Sequence, residues 1–226
     1  MRRIDCFGGA VVAAISDISQ DFKMSPEETD LNDTQRDYLK SNLSIEDVVN
    51  IRQVHGNHVV YAQNQAHAIE EADALVTDQV NVAIAVRTAD CVPVFLYDDA
   101  HNAIGIVHAG WQSTQKKIVQ ATLDEMNARF GSNPQDVKAY IGPCIRKDSF
   151  EVGAEFKEYF PNEYEEINGQ GYVDVAQANI NQLTQNGVSE NNIVDCGEDT
   201  YTDTNWFSFR RDGDNAGRML HIMMLK

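Results

Sequence analysis

Cys91-Val92-Pro93-Val94-Phe95-Leu96-Tyr97 and Asn102-Ala103-Ile104-Gly105-Ile106-Val107-His108 flank the polar link Asp98-Asp99-Ala100-His101. Two apolar runs joined by so short a polar segment predict an antiparallel hairpin. With Tyr97 paired to Asn102, Phe95 faces Ile104, Pro93 faces Ile106 and Cys91 faces His108. Directly opposed side chains share a sheet face, with Cβ atoms about 4.5–5.5 Å apart. A one-residue slip would send them to opposite faces, so the placement depends on the link. The second face, Val92, Val94 and Leu96 against Ala103, Gly105 and Val107, is also apolar, which predicts burial on both sides. A thiolate and an imidazole held together at the open end are ligands for zinc or a similar metal.

Around this hairpin the chain alternates strand and helix signals. Strands are predicted over 59–62, 80–88, 137–141, 193–196 and 219–225, the second and last from their period-two apolar pattern. Ser25-Pro26-Glu27-Glu28 reads as a helix start, with a helix to about Asn42. Ser113 or Thr114 can cap a helix over 115–130, in which Val119, Leu123, Met126 and Phe130 fall at helical spacing and Gly131 stops the run. Further helices are expected over 151–160 and from Asp174 through Leu183. Mixed strands and helices with a local antiparallel hairpin make an α+β layered fold, and no repeat or linker divides residues 1–226, so one domain is expected.

Composition narrows the partners. A net charge of −17 disfavours nucleic acid and anionic membrane, both of which need basic patches. No apolar run reaches the roughly 18–20 residues of a membrane span. Arg2-Arg3 before Cys6–Ile15 superficially resembles a signal peptide, but Asp5 and the glycines interrupt it. The four cysteines, Cys6, Cys91, Cys144 and Cys196, are widely spaced, and reduced thiols in a cytoplasmic protein are expected.

Taken singly, each ligand candidate has a plain structural explanation: a cysteine packs in cores, and a histidine beside an apolar strand is commonly a hydrogen-bonded core residue. The hairpin pairing is what lifts Cys91 and His108 above that. Asp90, next to Cys91, can orient a ligand imidazole or cap a turn. Trp111 can be a substrate platform or core. A third ligand could be His55 or His58; the flanking Gly56 suits His55 to a crowded site.

At these residues the chain resembles the YfiH-like laccase-domain family, described as polyphenol oxidases, zinc purine nucleoside phosphorylases or peptidoglycan editing factors. The resemblance rests on six ordered segments. They are Gln53-Val54-His55-Gly56, Ala72-Asp73-Ala74-Leu75-Val76-Thr77, Thr88-Ala89-Asp90-Cys91-Val92-Pro93, His108-Ala109-Gly110-Trp111, Ile141-Gly142-Pro143-Cys144-Ile145, and Phe209-Arg210-Arg211-Asp212-Gly213 with Gly217-Arg218. It covers about residue 50 to the end, leaving 1–50 divergent. It implies a four-layer α/β/β/α fold of mixed sheets and a metal held by His55, Cys91 and His108, which selects His55 over His58. The family's Arg-Gly after His-Ala-Gly-Trp is replaced here by Gln112-Ser113.

The resemblance implies zinc-dependent phosphorolysis of adenosine, inosine, guanosine and methylthioadenosine, and deamination of adenosine, with purine nucleoside and phosphate as partners. Asp73 and Asp90 are candidate proton shuttles. Gln53, Arg210 and Arg211 are candidate substrate contacts, with Arg218 as a further cation for phosphate. The absent family arginine predicts that deamination outlasts phosphorolysis. Three other functions compete. Cys91 and His108 could form a metal-free Cys–His hydrolase. Copper in the same ligands could support phenol oxidation, although six histidines without a His-x-His pair do not suit a multicopper centre. Cell-wall precursor editing is the third.

Overall fold

The computed structural model describes residues 1–25, 30–64 and 70–226. In chain order the elements are β1 (Arg2–Arg3), β2 (Val11–Ile15), α1 (Asp33–Leu43), β3 (Val59–Tyr61), β4 (Ala74–Thr77), β5 (Ala83–Thr88), β6 (Val92–Asp98) and β7 (Ala103–Ala109). After the hairpin come α2 (Trp111–Gln115), α3 (Ile118–Phe130), β8 (Lys138–Ile141), β9 (Glu151–Val152) and α4 (Phe156–Tyr159). The last are β10 (Tyr164–Ile167), β11 (Gln170–Val173), α5 (Val175–Gln185), β12 (Ile193–Asp195), α6 (Phe209–Asp212) and β13 (Met219–Leu225).

Two sheets stack. One is a mixed six-stranded sheet in the order β12-β8-β6-β7-β4-β3, and the other an antiparallel four-stranded sheet in the order β1-β2-β13-β5. Alternation along the strands divides the apolar residues among three cores. Ile15, Ile84, Met223, Phe95, Ile104 and Ile106 fill the space between the sheets. Val94, Leu96 and Val107, on the opposite face of the hairpin, pack against Val119, Leu123 and Met126 of α3 and Leu183 of α5. Ala14, Ala85 and Ile222 carry Leu39 and Leu43 of α1 on the outer face of the smaller sheet. The layers are therefore α/β/β/α. Phe95, fully buried at the centre, illustrates the stake: its truncation to alanine should cost about 3–5 kcal/mol.

The hairpin forms with a register different from the one expected. Asp98 pairs with Ala103, so Tyr97 faces Ile104, Phe95 faces Ile106, and Pro93, not Cys91, faces His108. The link keeps its length but starts one residue later. Asp98 closes it, its carboxylate accepting the Ala100 and His101 N–H groups and bonding His101 Nδ1, while Asn102 takes a left-handed φ of 49°. Moving the link by one residue shifts the register by two, and an even shift preserves faces. Cys91, just before β6, and His108 both keep the parity of the inter-sheet face.

Several other elements differ from expectation. The expected helix start at 26–28 lies outside the described residues; α1 begins at Asp33, where Asn32 and Gln35 form a reciprocal capping box. The expected strand over 80–88 begins only at Ala83. The expected helix over 115–130 is two helices, because Lys117 adopts a φ of 65° between them. Ser113 and Thr114 lie inside α2 instead of capping. The 151–160 helix shrinks to α4 because Glu151 and Val152 pair with Tyr172 and Gly171 of β11. The apolar run that resembled a signal peptide contains β2, paired with β13.

Candidate metal centre and cleft

Two loops and a strand end carry the three candidate ligands. His55 lies before β3, Cys91 immediately before β6, and His108 is the penultimate residue of β7. One ligand atom from each lies within 4.8 Å of the others, with Cys91 Sγ 3.9 Å from His55 Nε2. The two imidazole rings meet edge to face at 4.8 Å between centroids. His58, the competitor, is on the surface and faces Glu70.

Asp73, fully buried before β4, organises this end. Its carboxylate accepts His108 Nδ1–H at 2.7 Å and the backbone N–H groups of His55 at 3.0 Å and Gly56 at 2.5 Å. The first bond leaves His108 Nε2 for the ligand cluster. The backbone bonds hold His55 at a φ of 55°, unusual outside glycine. Burial alone would raise the Asp73 carboxyl, but His108 and these amides hold it below the usual range. Gly110 supplies the room: a Cβ there would come within 2.7 Å of His55 Cδ2 and 3.1 Å of Cys91 Sγ.

The donor set fits a metal. One thiolate and two imidazoles within reach of a single point are a donor set that could hold a metal ion. Electrostatics favour the thiolate ligand. Burial pushes the Cys91 thiol up, but His108 and His55 outweigh it and bring it down to about 6. His108 moves in the opposite direction: burial disfavours its charge, and Cys91 and Asp73 more than restore it. Each partner thus favours the charged form of the other, and a metal would take the place of the imidazole proton.

A cleft of about 890 Å³ opens over these ligands. Trp111, Phe150, Phe156, Val152 and Phe209 make its apolar wall, with Trp111 stacked on Tyr159 at 6.0 Å and 4.9 Å from Phe156. Trp111 thus serves both core and cleft. Lys23, Arg52, Arg87, Arg210 and Arg218 also line it. Gln112 is exposed and is not among the lining residues.

The remaining expected site residues divide. Arg210 lines the cleft, with Nη1 on the Glu151 carbonyl at 2.9 Å and its guanidinium 5.1 Å from the Phe150 ring centroid. Arg218 lies over Phe209 at 5.8 Å. Arg211 is not among the lining residues: its guanidinium binds the carbonyls of Thr200 and Trp206 and the Asp212 carboxylate. Gln53 lines the cleft, but its amide is engaged with the backbone N–H and C=O of Arg87. Asp90 does not touch an imidazole; its oxygens accept from Thr200 Oγ1 and the Arg210 N–H. Both carboxylates thus occupy holding positions. Sequence reasoning passed over Thr200, Phe150 and Phe156, which no local motif distinguishes.

Comparisons with known proteins agree with this fold. Residues 15–226 match the family model described as multi-copper polyphenol oxidoreductase laccase. The chain is similar to a purine nucleoside phosphorylase of Clostridium acetobutylicum, 32% identical over 209 residues, covering 91% of this chain and 87% of the relative. It is 34% identical over 199 residues to adenosine deaminase RL5 from an unknown prokaryotic organism, covering 80% and 76%. Among solved structures, the hypothetical protein YfiH of Bacillus licheniformis superposes with a TM-score of 0.85 at 25% identity, covering 96% of this chain and 93% of that one. With the family model covering most of the chain and relatives above 30% identity along its length, this chain belongs to the multi-copper polyphenol oxidoreductase laccase family.

Proposed function

We propose that this protein is a zinc-dependent purine nucleoside enzyme that phosphorolyses adenosine, inosine, guanosine and methylthioadenosine and deaminates adenosine. The observation that carries the reading is that the His55–Cys91–His108 cluster lines a cleft also lined by aromatic and cationic side chains. The relatives named purine nucleoside phosphorylase and adenosine deaminase support the same substrate class. Zinc bound to these residues would supply Lewis acidity and acidify water at neutral pH. Copper can occupy the same donors, since its intrinsic affinity for them exceeds that of zinc.

The chain's own groups then have distinct tasks. Asp73 holds His108 in the Nδ1–H tautomer and His55 in its left-handed backbone. Trp111, Phe150 and Phe209 offer ring faces to a purine and keep water from it. Arg210 and Arg218 make no carboxylate ion pair among the described residues, whereas Arg2, Arg36, Arg129, Arg146 and Arg211 all do. Cations left unpaired in so acidic a chain suit an anionic co-substrate such as phosphate.

A metal-free Cys–His hydrolase is the second reading, favoured by the order Asp73, His108, Cys91, which resembles an orienting acid, base and nucleophile. The two readings separate on His55, which a hydrolase does not need. A nucleoside panel read by chromatography, with and without phosphate, tests the proposal on zinc-loaded protein and His108→Ala. Phosphate-dependent release of free base and phosphate-independent conversion of adenosine to inosine are expected, both lost in His108→Ala. Turnover that persists after complete chelation would overturn the zinc assignment.

A further inference from the structure

Asp90 joins the ligand cluster to one cation of the cleft, Arg210. It precedes Cys91, is 9% exposed and has a φ of 86°, a left-handed conformation that aspartate and asparagine tolerate better than most residues. Its carbonyl accepts the Ile145 N–H at 3.0 Å. Its carboxylate reaches across the fold: Oδ1 accepts from Thr200 Oγ1 and Oδ2 accepts the Arg210 backbone N–H, each at 2.6 Å. Both bonds are charge-assisted.

The Arg210 bond lies at the start of α6, four residues long and too short to sustain itself. Phe209 and Arg210, both on the cleft, belong to this turn. Arg210 is therefore held at three points: its N–H by Asp90, its Nη1 by the Glu151 carbonyl, and its planar face by Phe150. The first of these refers the arginine directly to the residue beside the sulfur ligand. Protonation of Asp90 would weaken both of these bonds, so the carboxylate serves better as a brace than as a shuttle.

We propose that Asp90 is a positioning residue, one that fixes Arg210 at a set distance from the metal ligands so that its guanidinium receives the anionic co-substrate. This rests on the reading of Arg210 as a phosphate contact. The test is calorimetric titration of inorganic phosphate into zinc-loaded wild type, Asp90→Asn and Thr200→Val, with zinc content measured on the same samples. Asparagine keeps the size and backbone preference but cannot accept at both ends; valine removes only the hydroxyl that braces Oδ1.

Phosphate should bind wild type, bind Asp90→Asn about tenfold or more weakly, and bind Thr200→Val with a smaller loss in the same direction, all at equal zinc content. In steady state the KM for phosphate should rise while the KM for nucleoside stays unchanged. Unaltered phosphate affinity in Asp90→Asn overturns the proposal, as does loss of zinc in parallel with phosphate. If Asp90→Asn does not fold, unaltered affinity in Thr200→Val overturns it. A wild type that binds no phosphate is a different failure: it removes the Arg210 assignment itself.

Discussion

The carboxylate of Asp73 accepts the Nδ1–H of His108 at 2.7 Å, and the same oxygen accepts the His55 N–H at 3.0 Å. One buried oxygen thus sets the tautomer of one candidate ligand and the backbone of another.

Replacement of Asp73 by asparagine should weaken zinc binding by about 10–100-fold, the usual effect of losing a carboxylate behind a ligand histidine. Competition with a chromophoric chelator reads this directly. Zinc affinity equal to wild type would show that the His108 tautomer is set elsewhere.

Gly110→Ala isolates steric crowding from backbone strain. The φ of Gly110 is −66°, which alanine adopts freely, yet its Cβ would stand 2.7 Å from His55 Cδ2 and 3.1 Å from Cys91 Sγ. His55 must move, so zinc stoichiometry should fall while thermal stability changes by about 1 kcal/mol or less, the alanine being only a poorer helix cap. Metal analysis of the purified variant settles it, and full zinc occupancy would contradict the cradle.

In chelated protein the Cys91 thiol, held down to about 6 by its histidines, should be largely thiolate at pH 7. Cys6 and Cys196 are raised by burial, and Cys144 much more so. Iodoacetamide at pH 7 should therefore label Cys91 first, and zinc should block it. Peptide mapping that finds Cys6 labelled ahead of Cys91 would refute the ion pair.

His221, on β13, is fully buried with its Nε2 2.8 Å from Thr88 Oγ1, and burial lowers it from 6.5 to about 3. The unfolded chain therefore takes up its proton first as pH falls, so this contribution is complete above pH 6.5 and declines toward pH 3. Between pH 6.5 and 5 the loss approaches about 2 kcal/mol. His108, raised in the fold, opposes it only slightly: it is charged in the fold throughout this window while the unfolded imidazole goes from half to nearly full protonation. Urea denaturation of chelated protein should show the slope, and His221→Gln should flatten it; an unchanged slope in the variant would assign it to other groups.

Much of this fold could be read before any coordinates. The hairpin, β13 and α5 declare themselves because a period-two pattern, or an Asp174 cap with a helical stripe, survives whatever packs against it. Asp174 does accept the Gln177 N–H at 2.8 Å. What escaped notice was set by partners distant in sequence or by turn chemistry. β9 exists only because β11 pairs with it. The β10–β11 hairpin turns on Asn168-Gly169, both at positive φ, a dipeptide signal present in the sequence but not used. Lys117 breaks the 111–130 segment at a position where composition favours continuation.

The metal trio was legible in part. Cys91 and His108 follow from hairpin parity even with the wrong partner opposite. The choice of His55 over His58 needed a family pattern, because nothing local shows that Asp73 pins the loop. Arg210 and Arg211 are adjacent and chemically identical, so only the fold separates the cleft cation from the one fastened to backbone carbonyls.

The turn closed by Asp98 lies at the far end of the hairpin from the ligands, yet it decides whether they can meet. Repositioning the link by one residue leaves the site intact because opposed pairs change in steps of two. Inserting a single residue into one strand instead would invert the inside and outside of that strand, separating sulfur from imidazole with every ligand still encoded. Evolution can therefore vary the tip in composition and overall length, but each strand must conserve whether its count to the ligand is odd or even.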